Sequence, residues 1–365
     1  MERLDNLLAI SIKGASHYES GKPMQDYSVA VKSDEFAVAV VCDGHGSDKH
    51  FRSEIGSELC AKITQDKLIE FWQLNPTYAV LQENFTDKVT RLKLSILAAW
   101  QNQIAKYTAE NPFTEEELKK ASPRFIPKMS FNVSQAYGTT LLASLIAKDY
   151  YLVLMLGDGA IARFGPNKSA EVVTFEDKKV YNDQPHSATD SLCSEDAFFT
   201  IFHTCKEIKA DETVLAFCLC SDGFSEAFPS DDAMIRKMYN YLEYYAETGL
   251  EEAIPPIEAQ LNEISRRSPM KDDISLAYAT LDLSAFVEKP VVEVPAEPSE
   301  PVETNNPDKP VEASTDPKPE KKEDPSDEKE VEIVNERPKD GGVVDEEEKD
   351  SSANTPVDPQ GGKPE

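Results

Sequence analysis

Apolar runs of strand length, several of them stopping against an acidic residue, set the pattern of the first three quarters of this chain. LLAISIKGA is short and apolar, and DYSVAVKSDEFAVAVVCD holds two β-rich runs around a polar turn, KSDE. The first 45 residues therefore read strand, loop, strand. From about Ser47 the period changes. Ile55, Leu59 and Ile63 recur at helical spacing, and a second helical region is predicted from roughly Thr77 to Lys106, with Pro76 near its start. Residues 111–130, with Pro112, Pro123 and Pro127, read as an irregular connection. β-Structure returns in TTLLASLIAKDYYLVLMLGDGAIARFG, a hairpin-like series turning at AKD, and in TVLAFCLCSDG. MIRKMYNYLEYYAET and LEEAIPPIEAQLNEISRR are helical, DDISLAYATLDL is a last strand, and no solenoid-type repeat is present. Strands at both ends with long helices between predict a layered α+β fold, with helices covering antiparallel sheets, rather than a doubly wound parallel sheet.

Composition separates a tail from this pattern. Residues 288–365 hold 24 acidic and 10 basic residues, 13 of the 24 prolines and no aromatic residue. Such a segment cannot bury enough apolar surface to offset chain entropy, so it is predicted to be disordered, and residues 1–287 to form one domain. The net charge of −29, −14 of it in the tail, argues against nucleic acid as a partner, since a phosphate backbone requires a basic face. No segment approaches 18 consecutive apolar residues, and the start, MERLDNLLAISIKG, lacks a basic region followed by a long apolar run. Neither a membrane span nor a secretory leader is predicted. Six cysteines without a C-x-x-C pair fit reduced core thiols and a cytoplasmic setting. Trp72 and Trp100 fall on predicted helices and read as packing residues.

The chemistry lies in a recurrence at strand ends. Asp43 follows VAVVC, Asp158 follows YLVLMLG, Asp222 follows AFCLCS, Asp272 precedes ISLAYA, and Asp26 precedes YSVAV. Glycine follows three of them, at Gly44, Gly159 and Gly223. One Asp-Gly pair is an ordinary turn. If the strands are neighbours, several carboxylates meet at one sheet edge, where their repulsion requires cations between them. Carboxylate, carbonyl and water are the ligands preferred by magnesium, manganese and calcium.

The ordered set CDGHG (42–46), GTT (138–140), LGDG (156–159), CSDGF (220–224) and KDDIS (271–275) resembles the metal-dependent type 2C (PPM-type) serine/threonine protein phosphatases. SHYESGKPMQD (16–26) is similar to the first motif of the prokaryotic-type variant, and the resemblance spans roughly residues 10–282. It implies a four-layer α-β-β-α sandwich with two central antiparallel sheets and metals at one end. It implies hydrolysis of phosphoserine and phosphothreonine on proteins by a two-metal-activated water, with two Mg2+ or Mn2+ ions and a third, weaker one. By this resemblance Asp43 bridges two metals, Gly44 offers its carbonyl, and Asp222 and Asp272 complete one site. Asp158 belongs to the third metal and Asp26 lies near the second. His45 protonates the leaving alkoxide, a role suited to an unperturbed pKa near ~6.5. A phosphoprotein substrate, a cognate serine/threonine kinase and a monomeric state follow as expectations.

The chain also departs from that pattern. The first motif usually carries an arginine five residues before its final Asp, and here Gly21 stands there. Lys22 and Arg52, with Lys49 as a further rival, are the candidate phosphate ligands; a lysine would act as a point charge rather than a fork. Gln25 stands where some members have Glu, Asp273 where Asn is more usual, and the third motif reads GDG rather than GDS. Residues 165–206, including His186, fall where the family carries a flap beside the active site. A non-catalytic phosphoprotein-binding or scaffold module of the same fold is the alternative. A phosphoacceptor domain, suggested by VVCDG alone, requires a doubly wound α/β chain that the antiparallel pattern does not supply.

Overall fold

The computed structural model describes residues 3–121, 123, 125–175, 189–209 and 214–287. The acidic tail from residue 288 and His186 lie outside the described residues.

Among the described residues, eleven strands form two antiparallel sheets. The strands are β1 (Asp5–Asn6), β2 (Ala9–Ile12), β3 (Tyr27–Lys32), β4 (Phe36–Cys42), β5 (Leu141–Ala147), β6 (Tyr150–Leu156), β7 (Ala160–Phe164), β8 (Ala170–Val172), β9 (Phe202–Glu207), β10 (Ala216–Cys220) and β11 (Ile274–Thr280). One sheet runs in the order β1-β3-β4-β5-β6-β9 and the other β2-β11-β10-β7-β8. Four long helices flank them: α1 (Ser53–Leu74), α2 (Phe85–Glu110), α3 (Asp231–Thr248) and α4 (Leu250–Arg267).

The unbroken apolar runs have a simple cause: the central strands are covered on both faces. On β4, Ala37, Ala39 and Val41 enter the core shared with β10, β11, α3 and α4, while Val38, Val40 and Cys42 face Cys60 and Leu68 of α1 and Ile96 and Trp100 of α2. The layers are therefore helix pair, sheet, sheet, helix pair, which is the four-layer α+β sandwich expected. Trp100 is fully buried with its indole N–H on the Gly56 carbonyl, and Trp72 stacks at 4.5 Å on Phe36, so both tryptophans pack as anticipated. All six cysteines are free thiols and five are buried. No helix of the described residues is long and apolar enough to cross a membrane.

Local departures have local causes. The region from Thr77 is two helices, not one: a turn at Tyr78–Gln82 ends before Asn84, whose φ of 59° breaks the helix ahead of α2. Residues 111–130 hold two short helices, Glu115–Lys120 and Ile126–Phe131. The first is closed by a capping box between Thr114 and Glu117, a signal present in the sequence as Thr-Glu-Glu-Glu. Strand β9 overlaps the end of the segment expected as a flap; its half-buried edge position leaves too little apolar alternation to announce a strand.

Candidate active site

The strand register brings the acids together. Tyr27 of β3 pairs with Cys42 of β4, so Asp26 and Asp43 leave the same end of one sheet. Cys220 of β10 pairs with Leu276 of β11 and with Ala160 of β7, which sets Asp222, Asp272 and the 157–159 turn at the matching end of the other. Asp26, Asp43, Asp158, Asp222, Asp272 and Asp273 line one cavity of about 120 Å³, together with Gly44, His17 and His45. All five acids singled out in the sequence for metal binding are therefore neighbours, although Asp26 and Asp272 are 246 positions apart.

Each acid is held by backbone that only certain residues can form. The Asp43 N–H donates to Thr140 Oγ1 at 2.9 Å, and the Asp43 carbonyl accepts from the Thr140 N–H at 2.8 Å and from Thr139 Oγ1 at 2.9 Å. The GTT motif thus straps the DGHG turn. A Cβ on Gly44 would lie 2.5 Å from the Gln25 carbonyl oxygen, and one on Gly223 2.0 Å from that of Asp273, so glycine at both sites permits the close approach of chain segments. The Ser221 N–H donates to the Ser275 carbonyl and Ser221 Oγ accepts from the Ser275 N–H, fixing the loop before Asp222.

The electrostatics are those of crowded anions. Burial first, then the charges of Asp273, Asp272 and Asp222, push the Asp26 carboxyl well above the usual carboxylate range, against a bond from Ser221 that lowers it. Asp43 is raised by burial and by Asp26 and Asp222. Asp222 is pushed up to about 6, burial leading and Asp158 and Asp272 adding to it, while a bond from Asp43 lowers it. Among the described residues, Asp26 Oδ2 and Asp222 Oδ1 are buried without a hydrogen-bond partner. Buried oxygen atoms left unpartnered beside like charges form a donor set suited to small, hard divalent cations.

Two further acids differ in surroundings. Asp158 is exposed and its Oδ2 accepts from Thr189 Oγ1 at 2.7 Å. Asp273 is 2 % exposed, and its two oxygens accept from the Gly14 N–H and the Gln25 N–H, both at 2.6 Å. Asp273 thus clasps the first motif to the last. Gln25 donates from Nε2 to Ser53 Oγ at 2.5 Å and to the His45 carbonyl at 3.3 Å.

The structure corrects one candidate phosphate ligand. Arg52 is 6 % exposed, and its five N–H groups donate to Glu117 Oε1 and Oε2, the carbonyls of Asn111 and Pro112, and Tyr137 Oη. With every donor committed, none remains for phosphate. Burial opposes the cation, but the bonds to Glu117 and Tyr137 outweigh it and raise its pKa. Lys22 remains at the rim, donating from Nζ to the Gly46 carbonyl at 2.7 Å, and Lys49 Nζ lies 5.8 Å from the Phe125 ring centroid.

His45 stacks at 4.9 Å on His50, and its Nε2 is buried without a partner among the described residues. Burial and the nearby Lys49 charge outweigh the attraction of Asp158 and hold its pKa at about 4. Burial is the largest influence on it and sets the direction. The sequence reading gave no role to His17, Thr139 or Thr140, although His17 stands inside the quoted first motif and the threonines are the GTT motif itself.

A family model described as protein phosphatase 2C matches residues 13–264, about two thirds of the chain and nearly all of the folded part. The chain belongs to the protein phosphatase 2C family. Its motif acids are the residues that the two sheets of this 2C phosphatase fold bring to one cavity. Comparison with curated proteins gives no match. Among solved structures, the chain is similar to the serine/threonine phosphatase PstP/Ppp of Mycobacterium tuberculosis at 17 % identity, covering 76 % of this chain and 99 % of that one, TM-score 0.44. The catalytic domain of PstP in complex with two manganese ions aligns at the same identity and TM-score, covering 76 % of this chain and 97 % of that one. A C. elegans sex-determining protein aligns at 13 % identity, covering 79 % and 68 %, TM-score 0.46.

Proposed function

We propose that this 2C-family protein hydrolyses phosphoserine and phosphothreonine on proteins, with Mg2+ or Mn2+ as cofactor. One observation carries the reading: acids from five separate parts of the chain line one cavity, where Asp26, Asp43 and Asp222 have raised pKa values and Asp26 and Asp222 each keep a buried, unpartnered oxygen. Asp26, Asp43, Asp222 and Asp272 would hold the cations, with the Gly44 carbonyl beside them and Asp158 at the exposed lip. When bound, two divalent cations lower the pKa of water and screen phosphoryl charge. The protein's part is to hold the acids rigidly through the Thr139–Thr140 strap and the Asp273 clasp. Lys22 offers a point charge at the rim for the substrate phosphate. The substrate is a phosphoprotein, the setting cytoplasmic, and a serine/threonine kinase supplies the substrate's modification.

His45 enters this reading as a neutral ring. A group with a pKa of about 4 stores almost no proton at pH 7, so its contribution is a hydrogen bond toward the leaving oxygen. His45→Gln is expected to lower kcat by only about 10-fold, against the ~10²–10⁴-fold expected of a charged general acid. A fall of three orders in a variant with unchanged Mn2+ affinity would restore the acid role.

Manganese-dependent turnover of p-nitrophenyl phosphate, with Asp222→Asn as control, tests the activity; turnover that survives both chelation and Asp222→Asn contradicts it. Metal-stimulated turnover also separates the enzyme from a non-catalytic module of the same fold. Because the metal-free carboxyls are held above their ordinary range, cations must displace protons. Mn2+ affinity is expected to fall as pH drops through about 6, and near that pH the binding enthalpy should vary with the ionisation enthalpy of the buffer. A calorimetric enthalpy independent of buffer would show that no proton leaves.

A further inference from the structure

The cavity contains one nitrogen donor that the carboxylate chemistry above does not use. His17, in the helical turn Ala15–Ser20, is 7 % exposed and lies against both acids of the last motif. Its Nδ1 stands 2.8 Å from Asp273 Oδ1 and its Nε2 3.5 Å from Asp272 Oδ1. One ligand atom from each of these three residues lies within 4.8 Å of the others. The two acids are not equivalent. Asp273 has both oxygens occupied by backbone N–H groups and is nearly inaccessible, whereas the Asp272 side chain is 41 % exposed. A second, independent pointer lies in the same cavity: Asp26, 3 % exposed, has an Oδ2 with no partner among the described residues.

A neutral histidine carries its proton on one ring nitrogen and can offer the lone pair of the other to a cation. Among the described residues, His17 Nδ1 is buried without an aligned hydrogen-bond partner despite its 2.8 Å approach to Asp273 Oδ1, and Nε2 faces Asp272 Oδ1 across 3.5 Å. Two acceptor atoms at such a separation are stable together when a cation sits between them.

We propose that His17 Nε2 joins Asp272 as a metal ligand, so that this site prefers manganese and later transition metals over magnesium. Imidazole nitrogen suits transition metals, while magnesium favours oxygen alone, so one nitrogen donor shifts selectivity without removing any carboxylate. The inference rests on the divalent-cation reading of the cavity.

The full chain, isotopically labelled with ¹⁵N only at histidine and loaded with Mn2+, provides the direct test. Electron spin-echo spectra are expected to show a histidine-nitrogen coupling in the wild type and in His45→Gln, and to lose it in His17→Gln. Calorimetry on the same proteins is expected to show Mn2+ affinity reduced by ~10-fold or more in His17→Gln, with Mg2+ affinity changed less than about 2-fold and the Mn2+/Mg2+ preference reduced accordingly. If the coupling is absent from manganese-loaded wild type, or persists in His17→Gln, or if both metals weaken equally, His17 is not a ligand. The wild-type spectrum needs no variant and so stands even if His17→Gln does not fold. Wild type that takes up no Mn2+ overturns this inference together with the proposed activity; wild type that binds Mn2+ and turns over phosphate without the coupling overturns the role of His17 alone.

Discussion

Asp43→Asn is expected to reduce the proposed phosphatase activity by at least ~10³-fold, because the cations that would activate water would lose one of their charged ligands. The same substitution is expected to raise the melting temperature of the metal-free protein. Asp43 is buried against Asp26 and Asp222, and its carboxyl is held well above the usual range by that burial and those charges. A raised folded-state pKa means that this carboxyl costs the fold stability once pH exceeds its unfolded-state value, either as buried charge or as forced protonation. An amide of the same shape removes the charge and keeps the hydrogen bonds of the backbone strap, which involve only main-chain atoms of residue 43. Relief equivalent to one pKa unit is about 1.4 kcal/mol, or about 2–3 °C for a domain of this size. Melting curves with chelator and with Mn2+ check this. With chelator the variant should melt higher than wild type, and with Mn2+ lower, because only wild type gains binding energy from the cation. A variant that melts lower than wild type in chelator would show that the acids do not repel one another in the metal-free fold.

Arg52→Ala is expected to destabilise the fold by about 3–5 kcal/mol, a large share of the stability of an ordinary domain. Arg52 joins α1 to the 111–117 connection through Glu117, Asn111 and Pro112, and to Tyr137 just before the GTT strap. Its guanidinium also lies over the Phe113 ring at 4.7 Å. Arg52→Lys should recover less than half of the loss, since a single ammonium cannot reproduce a five-donor fork. The partner responds consistently: the bond from Arg52, working against burial, draws Glu117 down to about 2. Stability from a lowered acid is present above its ordinary pKa and lost as pH falls through the folded value. The penalty of Arg52→Ala should therefore be full above pH 5 and fade toward pH 2, as denaturant titrations at several pH values would show. Were Arg52 a phosphate clamp, its removal would raise KM for phosphopeptide and leave the denaturation midpoint unchanged.

These two residues show how far the chain could be read before folding was known. Asp43 was legible because a buried strand run into Asp-Gly has few purposes, and because the pattern repeats at Asp158 and Asp222. Arg52 was misread because a cation three to ten residues from a site looks alike whether it faces solvent or is sunk beneath the next loop. The partners that claim it, Asn111, Pro112, Glu117 and Tyr137, are 59 to 85 positions away. His45 was identified by its place in DGHG, but its pKa depends on burial beside His50, which no local string encodes.

The order of apolar runs, helical periods and Asp-Gly turns determined a layered α+β chain with antiparallel sheets and the set of acids, since strand period and turn chemistry act over a few neighbouring residues. Which of those acids became neighbours, which were clasped by backbone as Asp273 is, and which kept one unpartnered oxygen as Asp26 and Asp222 do, was decided by strand register and by contacts between segments more than two hundred residues apart. Desolvation and Coulomb energy depend on distance in space, and that distance exists only once the two sheets have packed.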